Sequence, residues 1–178
     1  LAFEDKRYLE ASKHYEQVAS NADRLEVERA TRVLVRYVDA LSQAGSTEQA
    51  LAPMETLLRI APDNAQALER VAQVTFSHGS IKRAADLYKD LFTRFGDQFK
   101  NDAKALYRYG EALRQTDELD AAIDPLEEAS DVDPGDARPL IALARVYEAQ
   151  ENWDRVVRVK TRHLDIAEGD ERVQLLIE

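Results

Sequence analysis

AKALYRYGEALRQTDELDAAIDPLEEASDVDPGD, residues 103–136, is the stretch whose reading decides the fold. Leu106, Tyr109 and Leu113 mark one face of a first helical pattern. Leu119, Ala122, Ile123, Leu126 and Ala129 mark one face of a second. Apolar residues recurring at i, i+3 and i+4 indicate amphipathic helices; a strand would alternate every second residue. Pro134 lacks the backbone donor that a continuing helix needs, and Asp133, Gly135 and Asp136 are turn formers, so the second helix is expected to stop there.

The pattern recurs. Residues 31–64 carry Leu34, Tyr37, Leu41, Gly45, Ala50, Met54, Leu57 and Pro62 at the same offsets. Residues 65–98 follow with Leu68, Val71, Thr75, Gly79, Ala84, Tyr88 and Leu91. Residues 137–170 give Leu140, Leu143, Tyr147 and Val156, with Trp153 where the other units carry Ile81 and Leu119. The period is 34 residues, broken once by the four residues 99–102.

Two helices per unit at this period are the mark of stacked helix-turn-helix repeats. The chain resembles the tetratricopeptide repeat family. Gly110, Ala122 and Ala129 match that family's tight-packing positions, as do Ala50, Ala72, Ala84 and Ala144, and Pro62 and Pro134 match its terminal proline. The last unit departs, with Val156 and His163 at small-residue positions and Glu168 in place of proline. The resemblance implies an all-α fold, a right-handed α-solenoid of stacked antiparallel helix pairs. One array is expected over residues 1–178: a partial repeat and extension at 1–30, full repeats at 31–64, 65–98, 103–136 and 137–170, an insertion at 99–102, and at 171–178 the start of a capping helix or a further repeat.

Within that frame several local features are expected. Tyr8, Ala11, Tyr15 and Val18 place residues 4–20 as a second helix, with Leu1 to Phe3 as the last turn of its partner. Both chain ends read as cuts through a longer array. The first helix of the next unit is expected to run from about Arg24 to Gln43, capped by Asn21 or by Asp23 with Glu26. Gly45 turns the chain and the return helix runs from Thr47 to Arg59 or Ile60. Pro53 and Pro125, at one position of their repeats, bend their helices on the outer face without ending them. Residues 95–102 form a connection with Phe95 and Phe99 packed beneath it and Asp102 or Asn101 as the next cap. Val173, Leu175 and Leu176 begin another helix.

Of the 178 residues 44% are hydrophobic, more than a disordered chain carries, yet no run is long enough to span a bilayer. The chain has no cysteine, which excludes disulfides and thiolate metal sites and leaves cytoplasm and bacterial periplasm both open. A net charge of −10 disfavours nucleic acid and anionic membranes as partners. Nine acidic and no basic residues fall within 117–136; with Glu127 and Glu128 pointing outward, this segment reads as a solvated face.

Nothing converges on catalysis. His14, His78 and His163 lie in different units without metal-ligand spacing, and His163 reads as a packed interface histidine. Ser42, Ser46, Ser77 and Ser80 sit near helix ends, where capping accounts for them. There is no phosphate loop, and Asp131, Asp133 and Asp136 lack the closing glutamate of a calcium loop. No enzyme activity, metal or cofactor is expected.

In the family that the chain resembles, first helices line a concave groove and contact ligands through their non-packing positions. Carried over, these are Arg32, Val35, Arg36, Asp39 and Gln43; Gln66, Glu69, Arg70, Gln73 and Phe76; Lys104, Tyr107, Arg108, Glu111, Arg114 and Gln115; and Arg138, Ile141, Arg145 and Glu148. Basic residues outnumber acidic ones on this face, and Arg36, Arg70 and Arg108 hold equivalent points. A mildly basic groove with apolar anchors suits a peptide or helix of a partner protein bearing carboxylates. The plainer alternative is that these arginines pair with Asp39, Glu69 and Glu111 and only keep the face soluble. Co-chaperone members clamp a carboxylate tail with five residues. Lys104 and Arg108 match that clamp, whereas Val35, Asp39 and Arg70 do not, which argues against that activity. A structural spacer or self-assembling array is the competing role.

Overall fold

The computed structural model describes residues 2–168, where the backbone forms nine α-helices and a short 3-10 turn. They are α1 (Ala2–Ala19), the 3-10 turn (Ala22–Arg24), α2 (Val27–Gln43), α3 (Thr47–Ile60), α4 (Ala65–Ser77), α5 (Ile81–Phe99), α6 (Ala103–Gln115), α7 (Leu119–Val132), α8 (Ala137–Ala149) and α9 (Trp153–Ile166). Among the described residues there is no strand. The helix starting at Val173 and the last two positions of the 137–170 repeat lie outside the described residues.

The chain divides into two compact units, Leu1–His78 and Gly79–Glu178. In the first, α2 packs against α1, α3 and α4, and α3 also meets α4. In the second, α5 to α9 pack in succession and α6 also touches α8. The residues that carry the period are those that become buried. Leu34, Leu41, Met54, Leu57 and Val71 are fully enclosed in the first unit, and Tyr88, Leu91, Leu106, Leu126 and Leu143 in the second. Each fully buried Leu contributes about 1.5–3 kcal/mol relative to exposure, so the repeated positions supply the cohesion of each unit.

Starts and stops of the helices are set locally. Asn64, Asp102 and Asp136 each stand just before the first helix of a pair and accept backbone hydrogen bonds there: Asn64 from Ala67 N–H (2.9 Å), Asp102 from Lys104 N–H (3.1 Å) and Ala105 N–H (3.0 Å), Asp136 from Arg138 N–H (3.0 Å). These satisfy donors that a helix start leaves unpaired. At the far end, Ser46, Glu118 and Asn152 donate their backbone N–H to the carbonyls of Leu41, Leu113 and Tyr147, at 2.9 Å each. The residue before each donor is left-handed: Gly45 at φ 69°, Asp117 at 66° and Glu151 at 56°. This is the Schellman closure, and the αL residue in it favours glycine.

Several expectations are corrected. α1 begins at Ala2, so positions 2 and 3 belong to its first turn and not to a preceding helix. The helix expected from Arg24 starts at Val27 instead, behind the 3-10 turn; Glu26 and Asn21 make no side-chain cap, and the Asn21 amide donates to Gln17 O. Ser46 and Ser80 occupy N-cap positions without a side-chain cap bond, and Ser77 Oγ donates back to Gln73 O at 3.0 Å. Pro53 and Pro125 are buried and not on an outer face, while α3 and α7 continue past them. A proline on the packed side brings no N–H that would need a partner there.

The 95–102 segment is not an open connection. α5 runs on to Phe99 with one non-helical residue, Phe95 (φ −132°, ψ 18°), and is 19 residues long against 14 in α3, α7 and α9. Of the inserted residues only Phe99 is helical, and Lys100 to Asp102 form the link to α6. Phe95 and Phe99 are half-buried, and the Arg94 guanidinium lies 4.8 Å from the Phe95 ring centroid.

Candidate functional site

In the first unit the face in question is built by α2 and α4. Arg32, Val35 and Arg36 fall within one turn of α2 because residues three and four apart share a helix side. Arg32 and Arg36 are exposed and Val35 half-buried. With Glu28 and Thr31 from α2 and Asn64, Gln66 and Ala67 at the start of α4, they line a cleft of about 460 Å³. Neither Arg32 nor Arg36 has an ion pair among the described residues.

Further along the same helices the charges are already matched. Arg70 Nε donates to Asp39 Oδ1 and Arg70 Nη1 to Gln73 Oε1, so three of the expected groove residues hold one another. Glu69 and Phe76 are half-buried on α4.

In the second unit the corresponding residues stand on α6 and α8. Glu111 was expected on the solvent side, but it is only 7% exposed. It accepts from Arg114 Nε (2.8 Å), Arg114 Nη2 (2.7 Å) and Gln115 Nε2 (2.7 Å). Burial alone pushes this carboxyl up, and the hydrogen bonds from Arg114 and Gln115, with the fields of Arg114 and Arg145, bring it below its ordinary value. The Arg138 guanidinium is held by Asp136 (Nη2 to Oδ2, 2.6 Å) and lies 5.1 Å from the Tyr107 ring centroid. Burial and the Glu111 charge raise the Tyr107 phenol. Lys104 and Arg145 are exposed, Arg108 and Ile141 half-buried. Arg36 and Arg70 belong to the first unit and Arg108 to the second.

The acidic segment is largely solvated, with Asp117, Glu118, Asp120, Asp124, Glu128, Asp131 and Asp133 exposed, while Glu127, Asp131 and Asp120 find partners in the next repeat. Glu127 accepts from the Tyr147 hydroxyl at 3.1 Å and lies 3.7 Å from Arg155 Nη1. Asp131 accepts from Arg162 Nη2 at 2.9 Å, and Asp120 from Gln150 Nε2 at 2.7 Å. Arg155, Arg158 and Arg162, at i, i+3 and i+7, were not among the expected site residues; the signal was their spacing along one helix side in the repeat after Glu127 and Asp131. His163 is buried, as its interface position implied. Among the described residues no group of three or more His, Cys, Asp or Glu is placed to hold a metal ion. No described helix is long and apolar enough to cross a membrane.

Two family models, both for the tetratricopeptide repeat, match residues 35–98 and 103–146. The chain belongs to the tetratricopeptide repeat family. The TPR repeat-containing protein YpiA of Bacillus subtilis (strain 168) is 27% identical over 117 residues, which is 66% of this chain and 26% of YpiA. The chain therefore spans only about a quarter of that relative. Among solved structures, MamA AMB-1 superposes with a TM-score of 0.77 at 21% identity, covering 97% of this chain and 90% of its own. MamA MSR-1 gives 0.76 at 22%, covering 90% and 87%. MamA from Desulfovibrio magneticus RS-1 gives 0.66 at 19%, covering 88% and 94%. At these identities the likeness is one of fold. Membership of the repeat family supports a role in binding other proteins.

Proposed function

We propose that this repeat protein captures a carboxylate-bearing peptide or helix of a partner through its first-helix faces, with Arg32 and Arg36 as the charged anchors. The observation that carries this reading is the α2–α4 cleft, where two exposed arginines without an ion pair among the described residues flank the half-buried Val35. Guanidinium groups bind carboxylates through paired N–H donors, and an apolar floor between them adds the area that a peptide side chain needs. Gln66 and Asn64 offer amide groups at the cleft's edge for a peptide backbone. In the second unit, Lys104, Arg145 and the Asp136-bound Arg138 are exposed cations of the corresponding faces, with Tyr107 and Ile141 as the apolar components.

Charge reversal at Arg32 and Arg36 tests the reading. Capture of partners from the native cell by the R32E/R36E protein should fall at least about tenfold, the cost of losing charged hydrogen bonds, while far-UV circular dichroism stays unchanged. Undiminished capture by a folded variant would remove the cleft from consideration. Arg70 makes a poor probe of the same idea, because its reversal sets a glutamate against Asp39.

A further inference from the structure

The second unit carries another cleft, on its second helices. α7 and α9 are bridged by long side chains, and beneath those bridges lies a cavity of about 220 Å³. Its floor is Leu143, Tyr147 and Val159, all buried, and its rim is Glu127 and Asp131 on α7 and Arg155, Arg158 and Arg162 on α9. The charges do not balance, since three guanidinium groups face two carboxylates. Arg162 is committed to Asp131 at 2.9 Å and to Ser130 Oγ at 3.2 Å. Glu127 is shared between the Tyr147 hydroxyl at 3.1 Å and Arg155 at 3.7 Å, and the Arg155 guanidinium also lies 5.8 Å from the Tyr147 ring centroid. Arg158 stands between them, exposed and with no ion pair among the described residues.

We infer that this α7–α9 cleft is a second protein-binding site, which takes one acidic side chain of a partner, its carboxylate on Arg158 and Arg155 and its methylenes on the Leu143–Val159 floor. One negative charge cancels the one excess positive charge of the rim. A dianion would leave a surplus beside Glu127 and Asp131, where like charges repel. The cavity's size suits a carboxylate together with its stem. An aspartate or glutamate of a partner therefore fits better than a phosphate group. The site shares no residue and no helix with the α2–α4 cleft, so the two can be emptied separately.

The probe is N-acetylglutamate α-amide, which carries a single side-chain carboxylate, titrated into the full chain at constant ionic strength made up with chloride. Arginine Nε–H resonances are followed by NMR, that of Arg158 being assigned by its loss in R158Q. Saturable shifts of the Arg158 and Arg155 signals are expected. R158Q should weaken binding roughly tenfold or more, and R32E/R36E should leave it unchanged. Inorganic phosphate serves as the second arm and should bind more weakly. Shifts that fail to saturate, shifts reproduced by chloride alone, binding that survives R158Q, or tighter binding of phosphate would each overturn the assignment.

Discussion

Arg114 holds the Glu111 carboxylate with both of its facing N–H groups, at 2.7 and 2.8 Å, one turn along α6. The pair lies on a helix side expected to face a ligand, and its closure withdraws both residues from that task. Burial raises the Glu111 carboxyl, but the bonds from Arg114 and Gln115 win and leave it below its ordinary 4.5. A carboxyl lowered in the folded state adds stability that is full at neutral pH, above the unfolded value. That stability is lost as pH falls from about 4.5 through the native value. Urea titrations at neutral pH and at successively lower pH should show the wild type losing stability across that window. E111Q should be less stable at neutral pH and show a weaker dependence. R114L should cost about 1.5–3 kcal/mol at neutral pH by stranding a buried carboxylate.

Gly110 lies against Leu126. A Cβ at this position would meet Leu126 Cγ at 2.5 Å, its Cδ2 at 2.8 Å and the Ala122 carbonyl at 3.2 Å. G110A gains about 1 kcal/mol of helix propensity but over-packs the α6–α7 contact, so a net loss of about 1–2 kcal/mol is expected by thermal or urea unfolding. Pairing it with L126A should give a double variant less destabilised than the sum, since the removed methyls are those the new Cβ strikes. Strict additivity would show that the two positions do not compete for the same space.

Asp117 and Glu151 adopt the left-handed conformation that Gly45 and Gly79 adopt at equivalent turns. An L side chain there is strained by roughly 1 kcal/mol, less for Asp, which tolerates αL better. E151G should therefore raise the unfolding free energy by about 0.5–1 kcal/mol and D117G by somewhat less, after the entropy of the added glycine.

Arg36 and Arg70 hold the same repeat position but differ in company. Arg70 bonds Asp39 and Gln73, with 23% and 40% of the arginine and aspartate side chains exposed. R70M should cost about 0.2–1 kcal/mol, the range of a partly exposed pair, and R36M should stay within about 0.5 kcal/mol of wild type. Equal effects on the melting temperature would contradict the difference in their surroundings.

Periodicity made the helices legible because the buried positions are the repeated ones: Leu34, Leu68, Leu106 and Leu140 hold one offset, and all are enclosed. Asp102 was readable as a cap from its place before an apolar period. What periodicity missed lies in side-chain choices between neighbouring helices. Arg70 pairing with Asp39 was one of the two readings open from sequence, but Arg155 reaching Glu127 and Arg114 folding onto Glu111 depend on rotamers that a helical wheel does not fix. A charge count likewise says nothing of local pairing. The dense acidic segment is largely exposed, yet Glu127 and Asp131 meet Arg155 and Arg162 of the next second helix. The course of residues 95–99 was hidden because Gly96 reads as a break, whereas the chain kinks at Phe95 and stays helical.

That extra length on α5 has a geometric consequence. The five residues by which α5 exceeds α3, α7 and α9 (19 against 14) would, in a regular α-helix, advance it by about 7.5 Å and swing its exit by about 500°, well off the original bearing; the non-helical Phe95 interrupts that winding. The break in winding at Phe95 and a link of three residues at 100–102, against four at 61–64 and 133–136, together let the tandem pattern resume its beat at Ala103.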